Sequence, residues 1–101
     1  MVHGIKIGPD GRFDDASYWS QSVTTPSKPL VLQYGGNTYA YVGTGTGYVF
    51  ELDCRDGGTI TGQHFLESGT TVGDVTIDTG AGPGSPATQG FVGGTTSGRI
   101  Y

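Results

Sequence analysis

From Leu30 onward, apolar positions alternate with polar or small ones at a spacing of two, the period of a half-buried strand. Leu30, Leu32 and Tyr34 alternate with Val31 and Gln33, and Gly35-Gly36-Asn37 turns the chain. Tyr39 and Tyr41 alternate with Ala40 and Val42 before the next turn, Gly43-Thr44-Gly45-Thr46. Tyr48, Phe50 and Leu52 then share one strand face, with Val49, Glu51 and Asp53 on the other. Asp56-Gly57-Gly58 leads into a fourth strand, Thr59 to Leu66. Short glycine turns between such strands predict a four-stranded antiparallel meander. Its Tyr48/Phe50/Leu52 face is expected to be buried, and its Val49/Glu51 face to meet a second layer, a partner or solvent.

A second unit opens near Thr71, where Val75 and Ile77 alternate with Asp74, Thr76 and Asp78. Gly80 to Thr88, with three Gly, two Pro and two Ala, has the composition of a loop. Part of the first unit then returns. Tyr41-Val42-Gly43, a Gly/Thr turn and Gly47-Tyr48-Val49-Phe50 recur as Phe91-Val92-Gly93, another Gly/Thr turn and Gly98-Arg99-Ile100-Tyr101, at a period of 50 to 51 residues. Repeats of this length build stacked units that need neighbours to bury their faces. The predicted organisation is a blade-like β domain over 29–101, with units 29–70 and 71–101. The second unit stops within its third strand, so either another segment supplies its outer strand or the sequence belongs to something larger.

Residues 1–28 form a separate region. Val2, Ile5 and Ile7 predict a short strand closed by Gly8-Pro9-Asp10-Gly11. Asp14 or Asp15 is placed to cap a single helical turn through Ala16-Ser17-Tyr18-Trp19. The stretch from Ser20 to Pro29 reads as an extended linker.

The meander resembles the blades of quinoprotein-type (PQQ-like) β-propellers. Their pattern of aromatic-Val-Gly, small turn and Gly-x-(Val/Ile)-(Phe/Tyr)-x-Leu-Asp is matched by Tyr41-Val42-Gly43 and by Gly47-Tyr48-Val49-Phe50-Glu51-Leu52-Asp53. The second copy matches as far as Tyr101. The signature Trp of many such repeats is absent from both units, since Trp19 lies outside them. Related blades occur in type IV pilus tip adhesins and in some phage virion proteins, where they are scaffolds rather than enzymes. The resemblance implies an all-β fold of about one and a half blades, with a small β-sandwich as the alternative. A closed propeller needs at least four blades, which leaves an oligomer, a fragment or the sandwich.

Composition narrows the function classes. Leu, Ile, Val and Phe number only 21 of 101 residues, so one thinly cored domain is expected. Nine acids against five bases, with no basic cluster, argue against a nucleic-acid partner. No apolar run is long enough to insert in a membrane, and no signal-peptide pattern opens the chain. The single Cys54 cannot form an intrachain disulfide and reads as a packed bystander.

Candidate chemistry is sparse. The glycines at 43, 45 and 47 precede a strand rather than the helix that a phosphate loop requires, so they read as a hairpin turn. Asp10, Asp14 and Asp15, and separately Glu51, Asp53 and Asp56, lack the spacing of a calcium loop. His3 and His64 have no partner ligands at zinc spacing. No catalytic residue, metal ligand or cofactor is therefore expected. What remains is aromatic: Trp19, Tyr34, Tyr39, Tyr41 and Tyr48 are candidates for a partner- or glycan-binding face, or else for filling the thin core. The expected protein is a non-enzymatic structural or interaction module of an extracellular appendage or virion. Its partners would be itself or other subunits, so the isolated chain is expected to self-associate or be unstable. A lectin-like carbohydrate-binding domain is the alternative.

Overall fold

The computed structural model describes residues 1–78 and 90–101; the loop expected over 80–88 lies outside the described residues. The fold is all-β and antiparallel. Strands β1 (Val2–Ile7) and β2 (Phe13–Gln21) form a hairpin. Strands β3 (Leu30–Tyr34), β4 (Asn37–Gly43), β5 (Tyr48–Asp53) and β6 (Thr59–Phe65) form the expected meander in sequence order. Strands β7 (Val72–Asp78) and β8 (Gly90–Thr95) make a third, two-stranded sheet.

The meander is the middle layer. Because side chains alternate along a strand, its two faces carry different cores. On the first face Ala40, Val42 and Leu52 pack with Val2 and Val23 of the N-terminal region, and Trp19, Phe50 and Cys54 lean on them. On the second face Tyr41 packs with Val72 and Val75 of β7, joined by Leu30, Leu32, Tyr39, Val49 and Leu66. Leu52 is fully buried and Phe50 partly so, while Val49 turns to the opposite core. The two faces of β5 therefore divide between two layers.

Segment 14–19 is strand, not a helical turn. The Ser17 hydroxyl does reach back to the Asp14 carbonyl, as in a turn, at 2.6 Å. The segment instead forms a wide bulge, because pairing jumps from Gly4↔Trp19 to Lys6↔Asp14. The Lys6 amide closes the bulge on Ser17 Oγ at 2.7 Å. An isolated helical turn leaves most of its backbone groups unpaired, whereas β1 pairs both ends of this segment, at Asp14 and Trp19. The stretch after β2 is likewise tied down: Val23 is buried, the Gly45 amide donates to the Thr24 carbonyl, and the Ser27 amide to Gly43.

The repeat read from the sequence has a structural counterpart. In the first unit the Thr44 amide donates to the Tyr48 carbonyl, and the Thr44 and Thr46 hydroxyls bond at 2.9 Å. In the second the Thr95 amide donates to the Arg99 carbonyl, and the Thr95 and Ser97 hydroxyls bond at 2.8 Å. Gly47 (φ 84°) and Gly98 (φ 89°) close these turns in the left-handed region, where only glycine is unstrained. The turns lie 51 residues apart while Gly43 and Gly93 lie 50 apart, so the second unit carries one extra residue, Gly94.

Both outer layers need glycine to come close. A Cβ on Gly43 would meet the carbonyl oxygens of Gly73 and Val72 at 2.5 and 2.6 Å, whereas a Cβ on Gly94 would meet nothing. Backbone cannot step aside as a side chain can, so Gly43→Ala should destabilise the chain by about 1–3 kcal/mol. Gly94→Ala should stay within about 0.5 kcal/mol of wild type. Urea unfolding of the two variants checks this; equal midpoints would show that β7 does not depend on Gly43.

Candidate interaction grooves

The outer hairpins cover the middle sheet only in part, leaving β6 exposed along most of its length, and what they leave open is the candidate site. The first hairpin packs through Val2 on β4 and β5 and is pinned to the turn between β5 and β6. Trp19 Nε1–H donates to the Cys54 carbonyl at 3.2 Å, and Gln21 Nε2–H to the Gly58 carbonyl at 3.0 Å. The indole lies so close to Gly4 and Gly58 that a Cβ on either would overlap its ring. The third sheet sits on the second face, with β7 against β3 and β4, and the Lys28 amide donates to Asp74 Oδ1 at 2.8 Å.

Two grooves result. On the first face a groove of about 710 Å³ runs over β3 and β4 beside β1, lined among others by Lys6, Val31, Ala40 and Arg55. Val31 is 56 % exposed there, although it lies directly opposite Ala40, which is buried. On the second face a groove of about 490 Å³ runs over β5 and β6 beside β8, lined among others by Tyr41, Val49, Glu51, His64 and Tyr101. The Glu51 carboxylate accepts the Thr61 hydroxyl at 2.8 Å. Each groove is an apolar shelf with a few charged groups, the character of a packing surface.

The aromatic candidates divide between these surfaces. Tyr39 and Tyr41 lie on the second face, Tyr41 buried and Tyr39 half-buried. Tyr48 stacks with Phe50 and Phe65, at centroid distances of 6.0 and 5.1 Å. Trp19 is the half-buried pin of the first hairpin, at the far end of β5 from Tyr48. The Tyr34 side chain lies outside the described residues. A second aromatic pair was not foreseen: His3 Nδ1 and the Tyr18 hydroxyl bond at 2.6 Å with their rings 5.9 Å apart. At the turn end of the same hairpin Ile7 and Phe13 are more than two-thirds exposed. Among the described residues no group of three His, Cys, Asp or Glu side chains could hold a metal ion.

Asp10 and Asp53 serve turns, accepting the amides of Arg12 and Arg55. Glu67 binds the second turn to the β6–β7 connection, accepting the Ser97 hydroxyl at 2.7 Å, Thr95 at 3.1 Å and Tyr101 at 3.3 Å, with Arg99 Nε 3.9 Å away. The Ser97 hydrogen bond first, then the Thr95 hydrogen bond, the Arg99 charge and the Tyr101 hydrogen bond, hold its carboxyl below the ordinary glutamate value. Burial first, and the neighbouring Asp53 second, push the Cys54 thiol up.

Searches against family models, curated proteins and solved structures find no match.

Two outcomes follow from these shifts. A carboxyl depressed in the folded state stabilises it above the ordinary carboxylate range and loses that contribution as pH falls through the depressed value. The melting-temperature gap between wild type and Glu67→Gln should therefore be full at pH 7 and shrink below about pH 4.3. A gap that widens in acid would contradict this. Cys54 should alkylate with iodoacetamide at pH 8 more slowly than a free cysteine, because only the thiolate reacts. Trp19→Ala, by opening the cover, should raise that rate, and a rate already at the free-thiol value would show that Cys54 is not shielded.

Proposed function

We propose that the chain is a non-enzymatic structural and interaction module built from propeller-blade-like units, working with other protein subunits in an extracellular appendage or virion. One observation carries the reading: each face of the middle sheet is only partly covered, and the open parts are apolar grooves suited to packing against another β layer. Nine acids and five bases fit a protein partner rather than a nucleic acid. The charged groups lining the grooves are spread along sheet faces instead of converging on one point, which suits packing more than turnover.

One observation favours the lectin-like alternative. Phe65 is 49 % exposed and packs at a tilt of 55° against Tyr48, a small aromatic surface of the kind that receives a sugar ring. The two readings separate cleanly. The module reading expects the native chain to bind an apolar dye, with binding reduced by Val31→Arg. It expects neither retention on a glycan array nor turnover of hydrolase reporter substrates. Glycan retention that is lost in Phe65→Ala, with dye binding unchanged in Val31→Arg, would overturn the module reading in favour of the lectin.

A further inference from the structure

The N-terminal hairpin leaves one backbone edge without a partner. Each strand of an antiparallel pair turns half of its N–H and C=O groups to its neighbour and half away from it. Among the described residues β1 pairs with β2 alone, and the backbone of Val2–Ile7 makes no hydrogen bond to any other element. Where the open edge lies follows from how the hairpin is held. β2 carries the two side chains that reach the turn between β5 and β6, Trp19 and Gln21. β1 lies on the other side, and all six of its residues line the groove that also takes in Val31 and Gln33 of β3. The unpaired backbone of β1 therefore borders a groove rather than open solvent.

That groove has a chemistry of its own. It is apolar at Ile5, Ile7, Pro29 and Val31, and Val31 is the exposed valine of β3. Its charged groups are Lys6 and Arg55, two of the five Lys and Arg residues in a chain that holds nine acids, and no Asp or Glu lines it. Asp14 stands opposite Lys6 in register, and Asp53 accepts the Arg55 amide, yet neither cationic side chain makes an ion pair among the described residues. A basic groove in an acidic protein sorts its occupants by charge.

Resting on the module reading above, we propose that this groove takes an extended acidic segment of a partner protein, which adds to the free edge of β1 as a third strand. The segment's backbone hydrogen-bonds to Val2–Ile7, its apolar side chains cover Val31, and its carboxylates meet Lys6 and Arg55. Strand addition draws affinity from main-chain bonds and specificity from the side chains at alternate positions. A second β1 is a poor occupant, because Val2–Ile7 holds Lys6 and no acid to meet it.

The test uses the whole chain and synthetic peptides of the length of β1, six residues. In the first peptide Val alternates with Glu, in the second Val alternates with Lys, and the third is the first with every amide N-methylated. The Val/Glu peptide should slow hydrogen exchange at the amides of Val2–Ile7. It should bind about tenfold more tightly than the Val/Lys peptide, the size of two exposed charge pairs made rather than opposed. The N-methylated peptide keeps the side chains but cannot pair along a strand, so it should not bind. Lys6→Glu combined with Arg55→Glu, both at exposed positions, should reverse the preference between Glu and Lys, with circular dichroism checking that the strand spectrum is kept. Equal affinity for the first two peptides, or a preference unchanged in the double variant, would overturn the acidic assignment. Binding of the N-methylated peptide, protection of Thr59–Phe65 in place of Val2–Ile7, or no binding of the Val/Glu peptide at its solubility limit would overturn strand addition at β1. Protection of Val2–Ile7 that rises with chain concentration in the absence of peptide would assign the edge to a second copy and overturn the proposal too. Each of these leaves the module reading standing, since that reading fails on the glycan array.

Discussion

Close approach of β-layers to a sheet with little bulk of its own is the constraint on which the molecule depends. Few large aliphatic side chains are present, so burial is achieved by bringing backbones together rather than by filling space between them. At Gly43 the third sheet comes near enough that its carbonyls occupy the place of a Cβ. At Gly4 and Gly58 the flat face of Trp19 does the same from the other side. Glycine thus sets the layer spacing, and Val42, Leu52 and Val72 are sealed off between layers whose combined apolar content is small. The buried polar groups fit the same scheme. Thr44 sits at the seam, its hydroxyl serving the amides of Thr46 and Tyr48, and its carbonyl accepts the amide of Val72 in the next layer. A hydroxyl that is buried without partners would cost stability; here it joins two layers.

The meander was legible because both of its faces are structured. A strand between two layers shows alternation in which each set of residues has its own character, aliphatic and aromatic on one side, Tyr and Val on the other, and β4 and β5 carry that signal throughout. The Thr/Gly turns were legible for another reason: they recur, and the recurrence survives as equivalent hydrogen bonds at Thr44 and Thr95. The strand β2 was not legible. Phe13 to Gln21 is polar through Asp14, Asp15 and Ser17, and its bulge breaks the period of two, so the only local cue was a capping aspartate. Its strand character comes from β1, a partner that a local reading of this segment does not weigh. The grooves were hidden for a still more general reason. Lateral offset between layers leaves no trace in alternation, because a covered and an uncovered part of one sheet face can carry the same residue types. Val31 reads as an ordinary strand valine; only the stagger of the first hairpin exposes it.

Open edges and thin layers place this chain near the boundary between folding alone and folding in company. An uncovered strand edge is a template for further pairing, and here the edge of β1 lies beside an apolar shelf. The protective devices on that side are modest. The bulge at 14–18 distorts β2 rather than β1, and Lys6 is the one cation on β1.

The extra residue in the second unit limits how far the two units are equivalent. Units that repeat perfectly can stack in any register. Gly94 adds one residue to β8 ahead of a turn of the same length, so the pairing of β8 beyond its turn is shifted by one residue relative to that of β4. Within the chain, the close approach at Gly43, Gly4 and Gly58 is what fixes the spacing of one layer on the next.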